Sequence, residues 1–100
     1  MDIDGQQDGT LAITRNDGAE RYEIRLDGEL VGLADYFDDG EVRAFPHTEV
    51  DPALRGHGLA GKLVGHALRD TRAAGLKVDP VCPYVAAFIR RHPEYRDLLA

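Results

Sequence analysis

"HTEVDPALRGHGLAGKL", residues 47–63, is the stretch on which the reading of this chain turns. Its first four residues have the look of a strand end, and its last eight set three glycines ahead of an apolar run. Gly56, Gly58 and Gly61 spell GxGxxG, while Gly56 through Lys62 spell GxxxxGK, so two nucleotide-loop patterns lie over the same residues. They share one piece of physics. Glycine backbone before a helix leaves N–H groups without intrahelical acceptors, and these groups, with the positive helix end, bind anionic oxygens. The loop cannot choose its own ligand, so its flanks must.

Upstream, the chain reads as strands punctuated by turns. "LAITR" (11–15) alternates at Leu11 and Ile13 before "NDG" (16–18), and "RYEIRL" (21–26) alternates at Tyr22, Ile24 and Leu26 before "DG" (27–28). "ELVGLADYF" (29–37) ends at "DDG", and "EVRAFPHTEV" (41–50) follows at once. Connections this short imply antiparallel hairpins. Downstream the period changes to helical, with Leu59, Leu63, Val64, Ala67, Leu68 and Ala74 on one face and Gly75 as the stop. "LKVDPVC" (76–82) reads as a strand, "PYVAAFIRRH" (83–92) as a helix opened by one proline and closed by Pro93, and "PEYRDLL" as a last helical turn. The order is β-β-β-β-α-β-α. That is an α/β domain (α+β in some schemes) with a mixed, mostly antiparallel sheet of five strands and two main helices. A helix between strands four and five makes those two a parallel pair. One hundred residues hold one domain, expected over 8–98, behind a loose N-terminus of residues 1–7.

The two nucleotide patterns fail on their surroundings. Asp79 lies about 20 residues beyond the glycines, where a ribose-binding acid belongs in a dinucleotide fold. That fingerprint, however, opens a long parallel sheet, whereas here three hairpins precede it and "DPALR" separates Val50 from Gly56. The phosphate loop of NTPases needs Ser or Thr after its lysine to reach Mg²⁺, and Leu63 stands there instead.

Charge is divided unevenly. Residues 1–50 carry 13 acids and 4 bases (−9) and residues 51–100 carry 5 acids and 8 bases (+3), which together give the net −6. An acidic chain argues against nucleic acid as partner, and a locally basic half around the glycine loop suits a small phosphorylated ligand. No apolar run reaches the roughly 18–20 residues of a membrane span, and the first ten residues lack the pattern of a signal peptide, so the expected compartment is the cytoplasm, away from membranes. The single cysteine, Cys82, has no disulfide partner. His57, His66 and His92 have no metal-ligand spacing, and no metal is expected.

Arg55, Gly58 and Ala60 also satisfy a third pattern, [QR]xxGx[GA]. With "HTEV", "LRGHGLAGKL" and "CPYVAAFIRRHPEY" in that order, residues 8–98 resemble the GNAT superfamily of acetyl-CoA-dependent N-acetyltransferases, and within it a compact single-domain branch. The resemblance implies a fourth strand that ends in a bulge and delivers the chain into a pyrophosphate loop, and a fifth strand that splays away to admit pantetheine. The loop residues are then Arg55, Gly56, His57, Gly58, Leu59, Ala60 and Gly61, acting mainly through backbone amides, with Lys62 near a phosphate. Backbone from His47 to Val50 would pair with the pantetheine arm of acetyl-CoA.

Acetyl transfer to an amine needs a base, a stabilised oxyanion and a proton for the departing thiolate. Period-two geometry puts Glu49 on the same face as His47, and the resemblance makes Glu49 the first choice of base and His47 the second. A strand-end carboxylate that merely caps the following turn is the alternative. Cys82, at the expected end of strand five, is either a buried packing group or a proton donor or acyl acceptor. Tyr84 and Tyr95 compete for the thiolate acid, since the helix start departs from the usual family pattern. Typical members also place two helices between their first two strands, where this chain has only "NDGAE". The acceptor side is therefore open, or completed by a partner or a second chain. The acceptor amine is left unnamed, with a cationic or macromolecular one suited to an open acidic side, and both monomer and homodimer stay open. The function implied is direct acetyl transfer from acetyl-CoA to an amine, against the alternative of a non-catalytic CoA-binding or interaction module of the same fold.

Overall fold

Five strands join one sheet in the order in which the chain lays them down: β1 (Leu11–Asn16), β2 (Arg21–Leu26), β3 (Glu29–Asp39), β4 (Val42–Val50) and β5 (Lys77–Asp79). The computed structural model describes residues 10–100; the expected loose segment 1–7 lies outside them. The first three pairings are antiparallel hairpins and the β4–β5 pair is parallel, joined through helix α1 (Leu59–Ala73). Helix α2 (Pro83–Arg91) follows β5, and short 3₁₀ turns span Pro52–Leu54 and Pro93–Leu98.

Turn chemistry explains the hairpins. Asp27 and Gly28 both take positive φ (52° and 85°), the two-residue turn whose twist matches paired strands. The register then fixes two faces. Tyr22, Ile24, Ala34, Tyr36 and Phe45 share one face and form a single core with Leu63, Val64 and Leu68 of α1 and Val85, Phe88 and Ile89 of α2. Both helices cover this face. On the other face Leu33 opposes Glu49, Asp35 opposes His47 and Phe37 opposes Ala44, and no helix among the described residues covers them. Phe37 remains 46% exposed there.

Two charged clusters pin the sheet. Arg43 is buried on the helix face: its guanidinium donates to Asp38 at 2.6 and 2.8 Å and to the Tyr22 hydroxyl at 2.7 Å, and that hydroxyl donates to Asp70 of α1 at 2.6 Å. A buried guanidinium is tolerable because its donors are matched. Burial, reinforced by a bond to Asp17, pushes the neighbouring Tyr36 hydroxyl up to about 12. On the open face, Glu23 accepts from Arg25 (2.7 Å), Arg21 (2.8 Å) and Asn16 (3.2 Å), and those bonds hold its carboxyl down at about 2.

The expected strand 76–82 is shorter than its pattern. Pro80 offers no N–H to a ladder, so pairing stops at Asp79, and Cys82 begins α2 instead of ending β5. No helix among the described residues is long and apolar enough to cross a membrane.

Candidate functional site

Pro46 decides the course of β4. Asp35 opposes His47 and Phe37 opposes Ala44, so β4 spends one more residue than β3 between those pairs, a bulge at Phe45–Pro46. A residue without an N–H fits such a break, and the bulge bends the strand that carries it. The parallel ladder to β5 ends at Ala44 and Asp79. One further bond, from the Cys82 N–H to the Phe45 carbonyl at 2.7 Å, ties α2 to the strand. Beyond it, residues 46–50 have no backbone partner on the β5 side among the described residues. An open strand edge of this kind accepts an extended ligand by backbone pairing.

At the end of that edge the chain turns through Pro52–Leu54 into the glycine loop. Asp51 caps the turn by accepting from the Ala53 N–H at 3.0 Å. Gly56 (φ 87°) and Gly58 (φ 73°) lie in the left-handed region, and a Cβ at either would meet nothing within 4 Å. These torsions need glycine, and the space beside them is unfilled. Gly58 is the N-cap of α1 and makes no side-chain cap, and the first turn carries no acid. Consequently the N–H groups of Gly56, His57, Gly58, Leu59, Ala60 and Gly61 donate to nothing among the described residues; the next amide, Lys62, reaches the Gly58 carbonyl at 3.1 Å. Six successive free donors at an unneutralised positive helix end make an anion cradle.

Two adjoining cavities turn the cradle into a groove. One of about 320 Å³ is lined by the loop residues Arg55, Gly56 and Gly58 to Gly61, together with Val50, Leu54 and Tyr84. The next, of about 380 Å³, shares Val50, Arg55, Ala60 and Tyr84 and adds Thr48 and Glu49. The groove therefore runs from the glycine loop along the free edge of β4 to Glu49.

His47 and Glu49 meet where the groove reaches the open face. His47 Nε2 lies 2.7 Å from Glu49 Oε1, with the two side chains 53% and 61% exposed. Asp35 opposes His47 across the strand pair and Asp79 opposes Ala44, so further negative charge shares this face.

The three other chemical candidates separate in space. The Tyr84 hydroxyl lies near Gly61, and its ring forms a wall of both cavities. The Tyr95 hydroxyl accepts from Arg69 at 3.0 Å, and Tyr95 lines a second groove, of about 970 Å³, that lies between β1, α1 and α2 and touches the glycine loop at Gly58 and Gly61. Lys62 and His57 face that second groove as well. Cys82 is buried in the core and lines neither cavity of the β4 groove. Among the described residues no three His, Cys, Asp or Glu side chains converge as metal ligands do. Two wall residues, though inside the motifs HTEV and LRGHGLAGKL, carry no side-chain signal of their own in the sequence. Thr48 lies between the two residues that periodicity singled out, and Leu54 belongs to a turn whose direction only the fold sets.

A family model described as GCN5-related N-acetyl-transferase matches residues 21–98. Among solved structures, a GCN5-like protein from Staphylococcus aureus has a TM-score of 0.70 at 22% identity, covering 90% of this chain and 88% of its own. The ribosomal-protein-S18-alanine N-acetyltransferase from Escherichia coli gives 0.59 at 16% identity, over 74% of this chain and 50% of that one. N-acetylglutamate synthase from Neisseria gonorrhoeae, crystallised with coenzyme A and N-acetyl-glutamate, gives 0.55 at 18% identity, over 68% of this chain and 18% of that one. At such identities the likeness is one of fold. No curated protein matches the chain.

Proposed function

The chain belongs to the family of GCN5-related N-acetyltransferases, and from that premise we propose that it binds acetyl-CoA along the β4 groove and transfers the acetyl group directly to an amine. The observation that carries the reading is the run of six unpaired N–H groups, Gly56 to Gly61, opening onto a groove that ends at Glu49. The pyrophosphate takes the cradle and the pantetheine arm pairs with the β4 edge as an added strand. The thioester then emerges beside the His47–Glu49 pair.

The chemistry follows from that placement. An amine arrives as an ammonium ion and must lose a proton before its lone pair can attack. Glu49 takes this proton, with His47 at 2.7 Å relaying it to water. The amine nitrogen adds to the thioester carbon and, now carrying a surplus proton, sheds this second proton to water; the tetrahedral intermediate then collapses with cleavage of the C–S bond, and the thiolate leaves with the sulfur's electron pair. Tyr84, on the groove wall, supplies the proton that makes CoA thiol and regains one from solvent. Tyr95 is engaged with Arg69 on another surface, and Cys82 packs in the core. The acceptor approaches the open face, where Asp35, Asp79 and Glu49 favour a cationic amine and no helix among the described residues limits its size.

The same open face favours a second reading, a CoA-binding module without catalysis. Release of CoA thiol from acetyl-CoA, measured with a panel of small amines, polyamines and lysine-containing peptides, separates the two. Amine-dependent release supports the enzyme, whereas tight CoA binding with no release above spontaneous hydrolysis leaves the binding module.

A further inference from the structure

Thr48 holds the one buried side-chain polar atom without a partner among the described residues: its hydroxyl oxygen is shut off from solvent and bonds to nothing. Buried polar groups are nearly always paired, because an unpaired one has lost water and gained no substitute. The surroundings explain the vacancy. Across the strand pair stands Ala34, which has no polar side chain, and on the other side β5 has already splayed away. Yet Thr48 lines the groove with Val50, Arg55, Ala60 and Tyr84, between the two residues of the His47–Glu49 pair and facing the opposite way.

Oγ1 and Cγ2 branch from the same carbon and are of similar size. A turn of about 120° about Cα–Cβ carries Oγ1 into the staggered position held by Cγ2, the methyl passing to the position held by hydrogen, and brings the hydroxyl to the groove wall. On the function proposed above, on which this inference rests, the group passing that wall is the pantetheine arm, a chain with two amides upstream of its sulfur. We propose that the Thr48 hydroxyl turns into the groove when CoA binds and hydrogen-bonds the pantetheine amide nearer the sulfur. Thr48 is then a positioning residue. It sets how deep the arm seats, and so holds the thioester carbon level with His47 and Glu49 on the other face of the strand.

Two variants and two ligands test this. Thr48→Val keeps the shape and strand preference and removes the hydroxyl; Thr48→Ser keeps the hydroxyl. Binding is measured calorimetrically with CoA and with ADP, which has a pyrophosphate and no pantetheine arm. T48V is expected to bind CoA about tenfold more weakly, or 1.4 kcal/mol, to bind ADP as wild type does, and to melt, unliganded, no lower than wild type. T48S is expected to stay within about threefold of wild type for CoA and for kcat, whereas T48V, with the thioester no longer held at one depth, is expected to lose about fivefold or more in kcat at saturating acetyl-CoA. A merely structural residue would lower melting temperature and affinity for both ligands together, and that result overturns the proposal. Equal CoA binding by wild type and T48V overturns it too, while leaving the reading of the groove intact. Failure of wild type to bind CoA removes that reading and this inference with it.

Discussion

Replacing Gly58 with alanine separates what the loop costs from what it does. Gly58 has φ 73° and Gly28, in the distant β2–β3 turn, has φ 85°; at both, an added Cβ meets nothing within 4 Å. With no steric clash at either, the penalty is the left-handed backbone alone, about 1–2 kcal/mol for an alanine. In a domain of this size each kcal/mol lowers Tm by roughly 4–8 °C, so Gly58→Ala and Gly28→Ala should melt at similarly reduced temperatures. Their effects on ligand binding should differ. At Gly28 the methyl enters solvent beside a turn. At Gly58 it enters the space assigned to phosphate, and any relaxation toward negative φ swings the Gly58 and Leu59 N–H groups off their common target. Titration calorimetry with CoA, run well below both melting points, should show Gly28→Ala binding as wild type does and Gly58→Ala at least tenfold weaker. If both variants lose stability alike and Gly58→Ala still binds CoA with wild-type affinity, the cradle is not where the pyrophosphate sits.

Glu49→Gln should lower kcat by about 10²-fold or more, within the usual range for a general base, with CoA affinity unchanged; a wild-type kcat would remove Glu49 from the chemistry. Cys82→Ala should cost about 1 kcal/mol in urea unfolding for the lost packing and leave turnover intact, whereas loss of turnover in a folded variant would restore the thiol as a reactant. Glu23 should mark the acid limb of stability. Its carboxyl falls from 4.5 to about 2 on folding, so its stabilisation is complete above about pH 5 and disappears as pH falls toward 2. The shift corresponds to about 3 kcal/mol at most, and screening around Arg21 and Arg25, 31% and 37% exposed, reduces that to about 1–2 kcal/mol. Glu23→Gln should therefore be less stable than wild type at pH 7, with about half that gap left at pH 3 and almost none near pH 2; a gap independent of pH would refute the assignment.

What was legible in the sequence was local. Asp27–Gly28 names its own turn, the 3.6 period of Leu59 to Ala74 names its helix, and period two suffices to place His47 and Glu49 side by side. What was not legible depends on pairs of distant segments. Pro46 is plain in the sequence, but the bulge it occupies exists only in register with β3. The strand read over 76–82 shrinks to Lys77–Asp79 because Pro80 ends the ladder and the Cys82 amide turns to Phe45. Tyr84 and Tyr95 look equivalent along the chain, and only the packing of α2 on α1 sends one to the groove and the other to Arg69. The Arg43–Tyr22–Asp70 cluster joins three elements and has no local pattern at all. The solitary hydroxyl of Thr48 is of the same kind, since its lack of a partner follows from the splay of β5.

The most direct measurement is an amide NMR titration of the ¹⁵N-labelled protein with CoA. The account predicts that the largest shifts fall on Gly56 to Gly61 and on Thr48 and Val50, while Gly28 and Gly75, in remote turns, stay put. Saturable shifts confined to His66, Arg69 and Tyr95, the part of the 970 Å³ groove away from the glycine loop, with the Gly56–Gly61 amides unmoved, would contradict it.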